Sequence, residues 1–369
     1  MAAWVETLAF TNANATSSTI SPTQTNIYTP PGAGQWAFSH GPDIAYFAGK
    51  YFVAFTNGRV GEGERGCRVT VRQSSDFSAW SDALLLSPGM GQFNEALFTS
   101  GGFLQQGGKL HLFYSFYEYD PRLIPSGAER PPTDVGHLYM KTFVVSTADG
   151  LTWASPKEVG PNIQMNRPPT PTQSGRLIMA GEARFDWTDD PAGASGWTPS
   201  GICVGLDIDS AATLDLARDL KNWQIRILCE GSFFQRSAND LVMFLRSAED
   251  YLWVARSNDN GVTWSEPGRT NFAHAGAKFH AGKLSNGRYF ILGNPAPNRE
   301  VLAVWTSADG MNFDKRYTLG SAPYVVQYPG FAKNGSYGYP SMMERNGELF
   351  VVCSRGKEAI SGYRLTSSL

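Results

Sequence analysis

Few residues in this chain are suited to proton transfer or metal binding. The 369 residues include only five histidines, His40, His111, His137, His274 and His280, and four cysteines, Cys67, Cys203, Cys229 and Cys353. Histidine is the side chain that exchanges protons near neutral pH, so these five bound the general acid and base chemistry available. His111 in "KLHLFYSF" and His137 in "HLYMK" fall in strand-like runs and read as ordinary sheet residues. The cysteines are far apart with no C-x-x-C pair, which predicts free buried thiols, and no zinc site or disulfide framework. No metal or cofactor is implied. A two-carboxylate glycosidase needs acids on both sides of one bond. Glu95, Glu182 and Glu230 are the acids that fit inner positions, and each reads first as the partner of an arginine.

The elements that would position these groups are short and rich in turns. Aromatic residues make up 13%, charged residues 17%, and there are 39 glycines and 22 prolines, a composition that excludes disorder and coiled coil. A net charge of -2 without a Lys/Arg run argues against a nucleic-acid partner. No stretch approaches the roughly 18 apolar residues that a membrane span needs. The opening "MAAWVETLAFTNANATSS" lacks a basic segment followed by an apolar one, so a cytoplasmic protein is expected if Met1 is native.

A polar turn recurs: "STADGLTW" ending at Trp153, "SNDNGVTW" ending at Trp264 and "TSADGMNF" ending at Phe313. Each sets a carboxylate to accept backbone N–H groups, a glycine where φ can be positive, and an aromatic to cover the turn. Asp149, Asp259 and Asp309 are therefore structural residues. Aligned on the final aromatic, Ala148 and Ala308 occupy the carboxylate position of the Asp259 copy. Weaker copies end at Trp80, without the glycine, and at Trp223. The spacing suggests a repeat of about 45 residues with insertions, the length of a four-stranded propeller blade. Runs such as "KYFVAFTNG" and "GELFVVCSRG" supply the strands, and Ser210 to Leu220 is the one helical candidate. The expected fold is one all-β propeller over 1–369, with six countable four-stranded blades at about 37–88, 89–160, 161–226, 227–272, 273–320 and 321 onward. Residues 1–36 are expected to supply an outer strand that closes the ring.

The turns resemble the Asp boxes of sialidase-like propellers. "FSHGPDIAYFAGKYFVAFTNGR", "EGSFFQ", "AKFHAGKLSNGRYFILGNP" and "YGYPSMMERNGELFVVCSRGKEAI" resemble the propeller polysaccharide lyases of the ulvan and rhamnosyl-glucuronate type. That resemblance implies seven blades and a site in which an arginine neutralises a uronate while histidines and a tyrosine move protons. The chain departs from it at "NEALFTSGGFLQQGG", which has no histidine, and at "SHGP", where Gly41 takes the place of a second histidine. No tyrosine accompanies Arg167 or Arg184. The expectation is a pocket that keeps its cations and loses its proton-transfer set.

A rigid pocket of that kind suits a reaction driven by orientation and one hydrogen-bond donor. In its propeller segments, its lack of a secretion signal and its missing histidines, the chain is similar to the fungal hetero-Diels-Alderases. These join a tropolone quinone methide to humulene-type sesquiterpenes. The motif loops then nominate Arg184 and Lys278 as carbonyl donors, with Arg167 and His280 beside them. His40, Phe233, Phe234, Gln235, Tyr337, Tyr339 and Trp187, with Trp197 nearby, would line the pocket. The partners implied are small apolar molecules or an oligosaccharide. Two alternatives stand beside this reading: a lyase or hydrolase of rhamnose- or uronate-terminated glycans, and a non-catalytic sugar-binding propeller.

Overall fold

The computed structural model describes residues 7–87, 96–119, 122, 124–128, 137–160, 163–181, 184–202 and 228–369. Glu95, Glu182, Cys203, the Ser210–Leu220 segment and the turn ending at Trp223 lie outside them. Among the described residues helix is confined to 3-10 geometry, at Thr7–Ala9 and at Arg122, and no helix is long and apolar enough to cross a membrane.

Among the described residues twenty-four strands form six sheets. Two belong to the N-terminal segment, β1 (Thr16–Thr19) and β2 (Thr23–Tyr28). Blade 1 is β3 (Phe38–Phe47), β4 (Lys50–Gly58), β5 (Arg68–Ser74) and β6 (Leu84–Leu85). Blade 2 is β7 (Ala96–Gln106), β8 (Lys109–Tyr119), β9 (His137–Thr147) and β10 (Lys157–Glu158). Blade 3 is β11 (Thr170–Pro171), β12 (Leu177–Ala180) and β13 (Phe185–Thr188), with residues 198–201 bridged to the outside of β13. Blade 4 is β14 (Cys229–Ser237), β15 (Asp240–Arg246), β16 (Tyr251–Ser257) and β17 (Gly268–Ala273). Blade 5 is β18 (His280–Lys283), β19 (Tyr289–Gly293), β20 (Leu302–Ser307) and β21 (Lys315–Gly320). Blade 6 is β22 (Gly338–Arg345), β23 (Glu348–Arg355) and β24 (Ala359–Thr366).

β2 pairs antiparallel with β24 and completes blade 6, so the N-terminal segment does close the ring. It does more than was expected, because β1 adds a parallel fifth strand to β21 and Phe10 is fully buried between blades 4 and 5. Middle strands are buried on both faces, as in β4, where every residue after Lys50 is buried. That is why they read as continuous apolar runs and not as an alternation. Six apolar clusters join the blades in succession. Phe52 and Leu112 join blades 1 and 2, and Phe113 and Met179 join 2 and 3. Phe185 and Phe233 join blades 3 and 4, and Phe244 and Trp305 join 4 and 5. Leu292 with Val351 joins blades 5 and 6, and Phe350 with Phe55 returns from 6 to 1. The ring is therefore complete with six blades, which corrects the seven implied by the lyase resemblance. The same burial leaves Cys67, Cys229 and Cys353 as free thiols.

The repeated turns lie between the third and fourth strands. In each, the Ser or Thr two places before the aspartate bonds its carboxylate: Ser74 to Asp76, Thr147 to Asp149, Ser257 to Asp259 and Ser307 to Asp309. Alignment therefore belongs on Ser/Thr-x-Asp, and the Asp259 copy is longer by one residue before its aromatic. Gly150, Gly261 and Gly310 have φ of 72°, 85° and 73°, and in the copy without glycine Phe77 takes φ 64° in its stead. A fifth copy escaped the sequence reading. Asp190 accepts from Ala192 N, Ala194 N and Ser195 Oγ, and Trp197 closes the turn. Trp197 is thus a turn residue of blade 3 and not a pocket wall.

The N–H groups of Ser78 and Thr152, the foremost donors to Asp76 and Asp149, hold these carboxyls below the usual range, Asp149 at about 2. A depressed folded-state pKa stabilises the fold above the unfolded value near 4 and ceases to do so as pH falls toward 2. The melting temperature followed by calorimetry is expected to be level down to about pH 5 and to fall between about pH 4 and pH 2. Asp149→Asn should shrink that fall.

Candidate functional site

Each inner strand faces the axis, and three of them carry the same irregularity. The β3–β4 register shifts between His40 and Asp43, β14–β15 between Cys229 and Ser232, and β22–β23 between Gly338 and Ser341. These are bulges that re-aim a side chain at the edge of a sheet. Proline is tolerated there because no ladder hydrogen bond is lost, which fits Pro42 and Pro340. The residue entering each bulge has positive φ: Gly41 at 60°, Glu230 at 48° and Tyr339 at 49°. For a glutamate and a tyrosine this conformation costs about 1–3 kcal/mol apiece, strain that typically accompanies function.

The two strained residues meet. Arg246 Nη1 donates to Glu230 Oε2 at 2.7 Å and to the Tyr339 hydroxyl at 3.1 Å, so one guanidinium nitrogen joins the carboxylate and the phenol. The Arg246 side chain is 27% exposed against 7% for Glu230, so the group opens to solvent through Arg246 and Tyr339. Despite burial, the Arg246 charge and the Tyr339 hydroxyl keep the Glu230 carboxyl below its usual range, so it stays ionised. Burial, with the Glu230 charge beside it, pushes the Tyr339 phenol well up. The pair therefore rests as phenol and carboxylate.

His40 stacks on Tyr339, with ring centroids 3.9 Å apart. The Ser354 hydroxyl donates to Gly338 O, so His40 Nδ1 at 2.7 Å is the donor to Ser354 Oγ and Nε2 carries the lone pair. That Nε2 is buried without a partner. Burial, then the charges of Lys357, Arg299, Lys278 and Arg246, keep the ring neutral. Lys278 Nζ lies 5.5 Å from the Tyr339 ring, and burial, followed by the Arg167 charge, lowers its pKa to about 8. Four cations thus surround His40, against the carboxylates of Glu230 and of Glu62, which is ion-paired with Lys357. The recess has a surplus of positive charge.

Deeper in the channel Asp43 ties four blades together. It accepts from Phe103 N at 2.8 Å and Ser341 Oγ at 2.5 Å, and Arg167 Nη2 lies 3.3 Å from it. His280 Nε2 is 3.1 Å from the same Arg167 nitrogen.

Of the residues nominated from sequence, His40, Lys278 and Tyr339 come together around the strained pair, and Arg167 and His280 meet below them. The others do not join this recess. Arg184 makes a two-point pair with buried Asp186 inside blade 3. Trp187 packs on the core between blades 3 and 4, under the Arg176 guanidinium. Tyr337 is buried between blades 5 and 6, where its hydroxyl accepts from Ala322 N. Phe233 and Phe234 belong to the cores flanking blade 4, and Gln235 Oε1 accepts from Gln173 N. His111 is a sheet residue bonded to Ser146, as expected, and His274 is spent on Ala275 O and Asn294 N. Where the sequence led to an expected loss of proton-transfer groups, the structure places a tyrosine and a carboxylate on Arg246, with His40 against the tyrosine. Arg246 itself was missed, although it is the strand partner of Cys229 beside Glu230.

A family model described as "BNR repeat-like domain" matches residues 50–351. No curated protein matches the chain significantly. Among solved structures, a Dyadobacter fermentans protein of unknown function is similar at 15% identity and TM-score 0.64, over 93% of this chain and 97% of that one. The NanB sialidase of Streptococcus pneumoniae is similar at 13% identity and TM-score 0.62, over 94% and 71%. The intramolecular trans-sialidase of Ruminococcus gnavus, in complex with oseltamivir carboxylate, gives 13% and 0.63, over 93% and 97%. At these identities the likeness is one of fold.

Proposed function

The chain belongs to the BNR repeat-like domain family, and on that premise we propose that it is a carbohydrate-active enzyme that cleaves glycosides of an acidic sugar. The observation that carries this reading is the Tyr339–Glu230–Arg246 contact inside a recess with surplus positive charge. Tyr339 Oη attacks the anomeric carbon and Glu230 takes the phenol proton, while the electron pair of the breaking bond leaves on the glycosidic oxygen, which is protonated by water. Water then displaces Tyr339, losing its proton to the hydroxide left by the first step, and the phenolate recovers its proton from Glu230. A phenol suits this task because, unlike a carboxylate, it approaches an anionic sugar without charge repulsion; tyrosine nucleophiles serve in sialidases, the solved neighbours of this fold. Lys278 and Arg246 receive the sugar's carboxylate.

A lyase is the second reading, favoured by one observation. His40 Nε2 presents an unpartnered lone pair beside Tyr339 and a cation, the set that abstraction of a proton next to a uronate carboxyl requires. The pericyclic reading wants uncharged walls, and buried charges such as these are better matched by a carboxylate and hydroxyls than by a polyene.

Fluorogenic glycosides of sialic and glucuronic acid, tested beside a uronate-terminated oligosaccharide, separate these readings. Release of fluorophore and reducing sugar supports the hydrolase, ultraviolet absorbance of an unsaturated uronate supports the lyase, and inertness toward all of them removes both. Because Lys278 loses its charge above about pH 8, kcat/KM on the acidic substrate should fall about tenfold between pH 8 and pH 9 to 9.5. Lys278→Arg, charged throughout, should flatten that limb.

A further inference from the structure

The strands that carry Glu230 and Tyr339 open at their other ends into a second recess. Gln235 and Glu344 each lie five residues further on, about 16 Å along an extended chain. There a cavity of about 430 Å³ is lined by Thr172, Gln235, His280, Lys283, Met342 and Glu344, among others. It lies at the end of the channel that carries the Asp turns, since Arg236 Nε donates to Asp309 O at 2.8 Å.

One wall of this cavity is chemically incomplete. Met342 N–H donates to His280 Nδ1 at 3.1 Å, so Nδ1 is the acceptor and a neutral ring carries its hydrogen on Nε2. The neighbour of Nε2 is Arg167 Nη2, which is also a donor. Ser341 donates its hydroxyl hydrogen to Asp43, leaving Ser341 Oγ and Asp43 Oδ1, each 3.3 Å away, to accept the two hydrogens of Nη2. The His280 Nε2–H therefore faces a donor and has no acceptor among the described residues, a costly arrangement for a group at a cavity wall. An oxygen arriving from the cavity relieves it.

The other walls indicate which oxygen. Phe290, edge-on to His280 at 5.1 Å, forms an apolar floor with Met342. The rim has one cation, Lys283, and one carboxylate, Glu344, which accepts from Ser285 N at 2.7 Å and Ser285 Oγ at 2.6 Å. An anion would face Glu344, and a cation would face Lys283 and Arg167. An apolar floor with donors and acceptors around it in balanced charge suits a neutral polyhydroxylated ring. We propose that this recess is a second ligand site, for a neutral sugar residue, one of whose oxygens accepts from His280 Nε2. The site differs from the recess at the other mouth in charge and position, and it does not depend on the reaction there.

Long-range 1H–15N spectra of histidine-labelled protein test it, with the His280 signal assigned through His280→Asn. The free protein should show the Nε2–H tautomer, and the Nδ1–H form would overturn the proposal. Methyl β-D-glucopyranoside, methyl β-D-galactopyranoside and methyl α-D-mannopyranoside are the probes, with methyl β-D-glucuronoside as the charged comparator. At least one neutral glycoside should shift Nε2 saturably with Kd on the order of 1–10 mM, and the glucuronoside should bind at least about tenfold more weakly. Glu344→Ala should weaken that binding about tenfold and leave turnover of the acidic substrate unchanged, while Tyr339→Phe should leave it intact. No shift with any neutral glycoside up to about 100 mM would refute the site, as would a response lost in Tyr339→Phe and kept in Glu344→Ala.

Discussion

Tyr339→Phe should lower kcat on the acidic glycoside by at least about 10³-fold, because a nucleophile and its base act as one unit and loss of either removes the covalent route. The substitution deletes one oxygen. The ring remains stacked on His40 at 3.9 Å, and Lys278 and Arg246 remain to hold the substrate. KM should therefore change by less than about threefold, and thermal stability should hold or rise slightly as the Arg246–Glu230 pair persists. Glu230→Gln should cost a similar factor in kcat with a different signature, since an amide cannot take the phenol proton. Because the loss falls on formation of the glycosyl-enzyme, azide should not rescue Glu230→Gln, and a substrate with a better leaving group should recover part of kcat. Steady-state kinetics with both variants checks the split.

Lys333→Met should be among the most destabilising single changes in the molecule. The Lys333 and Glu358 side chains are 1% and 0% exposed, with Nζ and Oε1 3.2 Å apart. Glu358 also accepts from Gln327 N, Tyr328 N and the Tyr324 hydroxyl, and Lys333 donates to Ala37 O and Tyr328 O. One buried ion pair therefore fastens the connection between β21 and β22, which ends two residues before Tyr339. Removing the cation leaves an uncompensated buried carboxylate, at a cost of about 3–5 kcal/mol. Urea unfolding should show it, with a loss well short of additive in Lys333→Met/Glu358→Gln, because the second change removes the stranded charge. KM should rise in the single variant, because the loosened connection bears directly on the strand that presents Tyr339.

The ring was legible in the sequence because its signal is local. A carboxylate two places after Ser or Thr, a residue with positive φ and a covering aromatic fix one hairpin whatever surrounds it, so four blades announce themselves by the turns ending at Trp80, Trp153, Trp264 and Phe313. The copy at Asp190 was missed because its turn is longer, with six residues between Asp190 and Trp197 replacing the usual three or four. The six blades counted from these turns and the strand runs between them match the six sheets, whereas the seven implied by the resemblance do not.

The site was harder because it is assembled from bulges on different blades. "SHGPD", "CEGSF" and "YGYPS" are one device in three places, and their kinship lies in backbone geometry: Gly41, Glu230 and Tyr339 share φ near 50–60° while sharing no chemistry. Proximity in the chain also misled. Tyr337 and Tyr339 stand two residues apart and looked equivalent, yet the bulge turns Tyr339 to the axis and leaves Tyr337 in a core. Arg184 looked available as a cation until folding set it against Asp186 two residues away. Arg246 gave no sign of its role, because its partners Glu230 and Tyr339 are 16 and 93 residues distant.

The most direct test is intact-protein and peptide mass spectrometry after brief exposure to a fluorinated acidic glycosyl fluoride, a donor that slows release of a glycosyl-enzyme. The account predicts a stoichiometric mass gain carried by the peptide containing Tyr339 and absent from Tyr339→Phe. Turnover with no adduct, yielding an unsaturated uronate or a product unaffected by loss of the phenol, would contradict it.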